Sequence, residues 1–368
     1  MTDELMKTPL HDTHVAFGAR MVDFAGWSMP LLFRGIIDEH NHTRTACSAF
    51  DVSHMGRLKL SGGDSGALLD RLCTRNLAEP EVGRSYYTHM CNEDGGILDD
   101  LIVSRFETHW GIVCNASNRE KIVNWINGHV GEMDATLTDE TTATAMIALQ
   151  GPRALALAQE LTGIDPATIK RYWFTTHELL DMRITVYRCG YTGEDGLEIV
   201  FPSGLAGLIV PRVLGTTDTP HPVIRPAGLG ARDTLRIEAG MPLYGHELSE
   251  KVDSITAGQG WCVDLETDFI GAAAMRRRKE MGLARKLVGL ELAGKRTARE
   301  HYKVLTGAEH VGEVTSGVLS PTLGKSLAMA YVSIEHADEG ARLEVEFGGK
   351  RVAATVVLLP FYRRRKEG

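Results

Sequence analysis

The run Asn92-Glu93-Asp94-Gly95-Gly96-Ile97-Leu98-Asp99-Asp100-Leu101-Ile102-Val103 constrains this chain more than any other segment. Gly95-Gly96 can take the backbone angles of a tight turn, and the apolar, β-branched stretch from Ile97 reads as a strand. Two adjacent carboxylates interrupt that strand where it looks most buried. Side chains alternate along a strand, so Asp99 and Asp100 face opposite ways. Burying an ionised carboxylate without a partner costs several kcal/mol. At least one of the two therefore faces water, a counter-charge or a ligand cavity. A turn followed by one satisfied structural Asp is the plainer alternative, and this segment alone does not decide between them.

A chain of 368 residues can bury large cores and suggests two or three domains. The net charge of −8 argues against a general nucleic-acid binder. Three basic clusters stand against that background: Arg276-Arg277-Arg278-Lys279, Arg285-Lys286 and Arg363-Arg364-Arg365-Lys366. Each reads as a solvated face, or else as contact with an acidic ligand or partner. No stretch is long and apolar enough to span a bilayer. The segment Met1–Lys7 carries two acids and no apolar core, unlike a secretory signal, and no Arg-rich mitochondrial leader is seen. Six scattered cysteines without a C-x-x-C pair support neither a zinc site nor a disulfide framework. A reducing compartment, the cytoplasm, is the expected location.

Helical periodicity falls at Gly63–Arg75, Asn118–Val130 and Pro152–Leu161, with Ser61 to Asp64 and Ser117 as candidate caps for the first two. Strand-like runs fall at Gly56–Leu60, Leu98–Arg105, Trp110–Cys114, Ala145–Leu149, Met182–Arg188 and Leu197–Phe201. They do not alternate with helices in a steady rhythm, so the expected class is α+β. Beyond about residue 285 helical patterning nearly vanishes. Arg342–Phe347 and Arg351–Val357 read as a hairpin around Gly348-Gly349, inside an all-β module closed as a barrel or jelly roll.

Gly228-Leu229-Gly230-Ala231-Arg232-Asp233 starts like a dinucleotide loop but lacks the third glycine. Phosphate-loop, zincin and nucleophile-elbow motifs are missing. His54 reads as an acid–base group or, more often for such a residue, as a hydrogen-bonded core histidine. Nothing points to a metal or a covalent nucleophile.

The positive signals are short polar blocks in a fixed order. They run Pro9 to His14, Met21 to Pro30, Phe50 to Met55, Ala148 to Pro152, Cys189 to Ile199, Ala227 to Gly240, Thr315 to Gly317 and Ser320 to Gly324. Together with Gly95 to Val103, they closely resemble the aminomethyltransferase (T protein) family of the glycine cleavage system, over Thr8 to Tyr362. The resemblance implies an α+β, multi-domain cloverleaf around a central folate cavity. Residues 1–50 and 137–265 would form a first, discontinuous folate-binding domain. Residues 51–136 would form a second, and residues 266–368 a C-terminal β barrel.

The resemblance also implies a reaction. An aminomethyl group carried through sulfur on the lipoyl arm of the H protein passes to tetrahydrofolate. Ammonia, 5,10-methylenetetrahydrofolate and the reduced lipoyl arm are released. Tetrahydrofolate is a co-substrate, no metal is required, and the lipoylated H protein is the partner, with no nucleic acid or membrane involved. In Gly196-Leu197-Glu198-Ile199-Val200, Glu198 lies opposite Leu197 and Ile199 and can accept two adjacent donors of a reduced pterin, as its family counterpart does. Arg232 matches a family arginine at the folate site, and an ion pair with Asp233 or Glu238 is the bland alternative. Met55, Tyr87, Val113 and Asn115 match cavity-lining positions, Tyr191 is a further wall, and Tyr362 is a candidate contact from the tail. Alignment to the family motif selects Asp100, as the buried second acid, for the catalytic role. That carboxylate would stabilise the cationic centre attacked by folate N5. The same scaffold could serve a tetrahydrofolate-dependent demethylase of a small molecule, or a folate sensor without catalysis. Retention of both acids with Glu198 and Arg232 speaks against the sensor.

Overall fold

The structure, a computed structural model, describes residues 4–163 and 165–364. By contacts the chain divides into two compact units: Met1–Ser65, Pro80–Tyr86 and Ile102–Asp233, and Gly66–Glu79, Tyr87–Leu101 and Thr234–Gly368.

The first unit is built on a six-stranded sheet. Its order is Phe174–Leu179, Met182–Tyr187, Gly196–Pro202, Thr144–Gln150, Cys47–Asp51 and Ile224–Pro226. Neighbours are antiparallel except for the last pair, which is parallel. Alternation decides what each face carries. Leu197, Ile199 and Phe201 enter one core with Cys47, Ala49, Ile147 and Leu149, beneath the helices Ala154–Thr162 and Ala206–Leu214. Burying each of the largest of these side chains is worth about 1.5–3 kcal/mol. Glu198, between two of them, is thereby sent to the opposite face. Three further strands of this unit, Gly56–Ser61, His109–Cys114 and Thr136–Asp139, pair antiparallel around Leu58, which faces Ile112 and Asp139. The helix Arg119–Val130 buries Ile122 and Ile126, as the periodicity predicts.

The second unit holds a closed barrel: Arg285–Leu292, Ser326–Ser333, Glu309–Leu319, Lys303–Thr306, Arg342–Phe347 and Lys350–Val357, the last pairing with the first. Its interior is filled by Val288, Leu290, Val304, Val314, Ala328, Ala330, Val332, Val345 and Val356 among others. Leu327, Met329 and Tyr331 point outward into another core with Ile237, Leu248, Val252, Phe269 and Met275. Ser326–Ser333 is thus covered on both faces, which is why it reads as an unbroken apolar run rather than an alternating one. Arg236 pins this side of the barrel: its guanidinium reaches Glu247 Oε2 at 2.7 Å and donates to Ser316 Oγ at 2.7 Å.

Local expectations need correction at the caps. Asp64 accepts from Asp134 N instead of capping Ser65–Leu72. Ser117 lies inside a 3-10 turn, and the helix after it starts at Arg119 without a side-chain cap. The basic run Arg276 to Lys279 belongs to the helix Ala272–Met281.

Candidate functional site

In the first unit the loop before Gly196–Pro202 is fastened from below by a buried amide. Gln150 donates to the carbonyl of Cys189 at 3.1 Å and accepts from Thr192 Oγ1 at 2.9 Å. A side chain at Gly190 or Gly196 would collide with it, its Cβ lying 2.0 Å from Gln150 Oε1 or 2.4 Å from Gln150 Nε2 respectively. The two sequence blocks therefore interlock, and the glycines are needed for close approach. Arg44 adds a buried ion pair to Glu194 at 3.0 Å.

Glu198, 8% exposed, emerges from this support with Cys189 beside it. The Cys189 thiol donates to Glu198 Oε2 at 2.8 Å. Burial and the neighbouring carboxylate push that thiol well above its ordinary range, so it remains a protonated donor. The Arg232 guanidinium lies 5.0 Å from the centre of the Tyr191 ring. Burial draws its pKa down, opposed first by the negative charge of Glu198. Its Nη1 is buried and has no hydrogen-bond partner among the described residues. Glu238, one alternative partner, accepts instead from Ser320 Oγ and from Thr322 N and Oγ1. Arg232 is positioned through Glu39, whose carboxylate accepts from the backbone N–H groups of Phe33, Arg34, Gly35 and Gly228. Gly228 in turn accepts from the Arg232 backbone N–H, at the start of the helix Leu229–Glu238.

The other expected residues of this unit lie near the Gly56–Ser61 and His109–Cys114 pair. Val113 faces Arg57, whose guanidinium donates to the Met55 carbonyl at 2.6 Å. Asn115 leads into the turn Ala116–Asn118. Met55, Val113 and Asn115 are all partly exposed, as wall residues would be. His54 is buried, and that burial lowers its pKa to about 4. Its Nδ1 has no partner among the described residues, and Phe24 packs edge-on at 5.4 Å. It is a neutral core imidazole, although not a hydrogen-bonded one at Nδ1. The blocks Pro9 to His14 and Phe50 to Met55 meet at Asp51, which accepts from Thr8 at 2.6 Å and Ser53 at 2.9 Å and lies 2.8 Å from His14 Nε2. Burial would raise the Asp51 pKa, but its His14 contact and the Ser53 and Thr8 hydrogen bonds hold it below the ordinary carboxylate range.

In the second unit the turn at Asn92–Gly96 is closed by Asn92 Oδ1, which accepts from Asp94 N and Gly96 N. A Cβ at Gly96 would sit 1.9 Å from the carbonyl of Glu250, so only glycine fits. The strand Ile97–Arg105 follows, with Asp99 fully buried and Asp100 partly exposed. This corrects one expectation: the buried acid is the first, and the second is the accessible one. Alternation explains it, because Asp99 shares its face with the buried Leu101 and Val103.

Tyr87 donates to Asp100 Oδ2 at 3.1 Å and stacks on Trp261, with ring centres 5.2 Å apart. His89, fully buried, lies 3.3 Å from the Tyr87 hydroxyl through Nε2 and 2.7 Å from Ser254 Oγ through Nδ1. Tyr362 is tied through its backbone N–H to the carbonyl of Glu238 at 2.8 Å.

Four contributors are not singled out by sequence reasoning: Cys189, Gln150, His89 and Trp261. The first two stand inside recognised blocks. His89 follows Tyr87 by two residues on one strand face, a signal that could have been used. Trp261 carries none. Of the basic clusters, Arg276 binds the carbonyls of Leu265 and Thr267, and Arg278 pairs with Asp253 at 2.8 Å. Both are therefore partly spent inside the unit. Arg365 and Lys366 lie outside the described residues.

A mixed α/β body carrying a buried carboxylate near an arginine, followed by a closed six-stranded barrel, makes a two-part architecture. Two family models match in that order: the GCVT N-terminal domain over residues 10–267 and the glycine cleavage T-protein C-terminal barrel domain over 285–363. The aminomethyltransferases of Bacillus cereus strain AH187 and Bacillus anthracis strain CDC 684 are each 43% identical to this chain, covering 98% of it and 99% of their own length. The crystal structure of the glycine cleavage system aminomethyltransferase T from Bartonella henselae superimposes with a TM-score of 0.91 at 32% identity, covering 98% of this chain and 99% of that one. The chain belongs to the glycine cleavage T-protein family of aminomethyltransferases. Its reaction is that family's: S-aminomethyl-dihydrolipoyl H protein and tetrahydrofolate give ammonia, 5,10-methylenetetrahydrofolate and dihydrolipoyl H protein.

Proposed function

We propose that Glu198 and Arg232 hold the pterin of tetrahydrofolate and that Asp100 serves the reacting carbon. The observation that carries this reading is the buried, unpaired Nη1 of Arg232 beside an acid. Leaving such a donor unsatisfied costs about 1–3 kcal/mol, which a ligand acceptor recovers. A reduced pterin presents a carbonyl oxygen, a ring N–H and an amino group along one edge. Arg232 supplies the donor for the first, and Glu198 accepts from the other two. Met55, Val113, Asn115 and Tyr191 would wall the ring, with the Met55 thioether packing on its flat face. Tyr87 and Tyr362 complete the proposed set.

During transfer the C–S bond to the lipoyl arm and the C–N bond to the departing ammonia break, and C–N bonds to folate N5 and N10 form. The protons lost from those nitrogens go to the leaving sulfur and ammonia, and positive charge develops at the moving carbon. A carboxylate already fixed in place stabilises that charge without reorganising. Asp100 has the required exposure and a hydrogen bond that orients it.

Titration of tetrahydrofolate by calorimetry into wild type and Arg232→Met tests the grip. Weaker binding with intact folding is expected; unchanged affinity overturns it. The lipoylated H protein is the proposed donor and partner, with Arg277, Lys279, Arg363 and Arg364 among the charges that could steer it. If they do, KM for the H protein rises with salt; a salt-independent KM would assign them to a merely solvated face. The division into three domains and a cytoplasmic location belong to the same reading. No helix among the described residues is long and apolar enough to cross a membrane, and no group of three or more metal-binding side chains occurs among them.

A further inference from the structure

We propose that His89 is a positioning residue for Asp100: held in one tautomer, it fixes the Tyr87 hydroxyl as a donor to the carboxylate. The inference rests on the reading of Asp100 as the acid serving the reacting carbon.

The chain of contacts lies within one unit. Ser254 Oγ is 2.7 Å from His89 Nδ1, His89 Nε2 is 3.3 Å from the Tyr87 hydroxyl, and that hydroxyl is 3.1 Å from Asp100 Oδ2. An ionised carboxylate only accepts, so the single hydroxyl proton of Tyr87 points to Asp100. Tyr87 can then only accept from His89. This puts the imidazole proton on Nε2 and leaves Nδ1 to accept from the Ser254 hydroxyl. With a neutral ring, no other assignment makes all three bonds. The ring is neutral, because complete burial lowers its pKa to about 3. His89 and Ser254 are both fully buried, and the Tyr87 and His89 rings meet edge-on at 5.4 Å, so the geometry is held by packing.

The electrostatic design follows. An arginine in the same place would orient Asp100 but cancel much of its charge. A relay of neutral donors orients the carboxylate without itself adding a compensating positive charge. Removing His89 takes away the donor that holds the Tyr87 hydroxyl in rotation, and donation to Asp100 becomes intermittent.

Two measurements on the full chain decide it. In nitrogen-15 spectra of histidine-labelled protein, the His89 signal, assigned by its loss in His89→Gln, should show the Nε2–H tautomer. The Nδ1–H tautomer or a cation overturns the proposal, and wild-type protein suffices for that reading. In steady-state turnover with loaded H protein, His89→Leu should lower kcat about tenfold with KM for tetrahydrofolate within about twofold, the scale of one lost hydrogen bond. His89→Gln, which can still donate to Tyr87, should recover most of it. In a Tyr87→Phe background, His89→Leu should cost nothing more. Equal loss in that background, or no recovery in His89→Gln, makes the residue merely structural. Wild-type turnover in Asp100→Asn would instead overturn the role of Asp100, while the tautomer result would stand on its own.

Discussion

Glu198 and Asp100 are both carboxylates on β-strands, but their surroundings differ in kind. Glu198 is buried, takes a thiol hydrogen bond and acts electrostatically on a guanidinium. Asp100 is partly exposed and takes a hydrogen bond from a neutral phenol backed by a neutral imidazole. A buried acid in the field of a nearby guanidinium is suited to reading a fixed pattern of donors. An accessible acid oriented by a neutral donor suits the proposed role towards a charge that appears only during reaction. The contrast agrees with the proposed division, in which one region grips folate and the other serves the chemistry.

The comparison breaks first at Asp100. Asp100→Asn should lower kcat by about 100–1,000-fold, the loss typical of a preorganised electrostatic contact, and leave tetrahydrofolate affinity within a few fold. Release of ammonia and methylenetetrahydrofolate measures it. Asp99→Asn tests the other face of the strand: any loss there should track the folded fraction, and equal loss of kcat in folded protein would move the catalytic role to the wrong side of this account. Glu198→Gln comes next. It should weaken tetrahydrofolate binding by about 1.5–3 kcal/mol, the scale of a charged hydrogen bond, in a calorimetric titration.

Much of this contrast is legible in the sequence. The alternation of Leu197, Glu198 and Ile199 gives the direction of Glu198, and the barrel follows from the strand texture beyond residue 285. The pair Asp99-Asp100 is visible as an anomaly, but which acid is buried depends on what packs under Leu101 and Val103, and one strand's sequence does not say. The partners that tune each acid are harder still. Cys189 reaches Glu198 across nine residues, and His89 meets Ser254 across 165. Pairings over such separations come from the fold and leave no local pattern. The helix caps fail for the same reason, since Asp64 prefers the backbone of Asp134.

Smaller effects sharpen the contrast. Cys189→Ala removes one neutral donor from Glu198 and should weaken folate binding by about 0.5–1.5 kcal/mol, with Cys189→Ser restoring some of it. An effect on kcat alone would move Cys189 out of the grip. Each region also keeps a buried neutral imidazole, His54 with a pKa near 4 and His89 near 3, against an ordinary 6.5. As pH falls from 6.5 towards 4, the unfolded chain binds protons that these folded-state rings refuse. Stability should therefore fall with pH, by up to about 1.4 kcal/mol per pH unit for each ring. Urea denaturation across that window checks it, and His54→Phe should give a shallower slope. An unchanged slope would mean that His54 is not held neutral.

The division of labour is tested most directly by turnover at saturating tetrahydrofolate, with aminomethyl-loaded H protein, for Glu198→Gln and Asp100→Asn side by side. The account predicts that Glu198→Gln regains nearly the wild-type kcat once folate is saturating, while Asp100→Asn stays about 100-fold or more below it at every folate concentration. A Glu198→Gln enzyme that remains slow at saturation, or an Asp100→Asn enzyme that folate rescues, would contradict it.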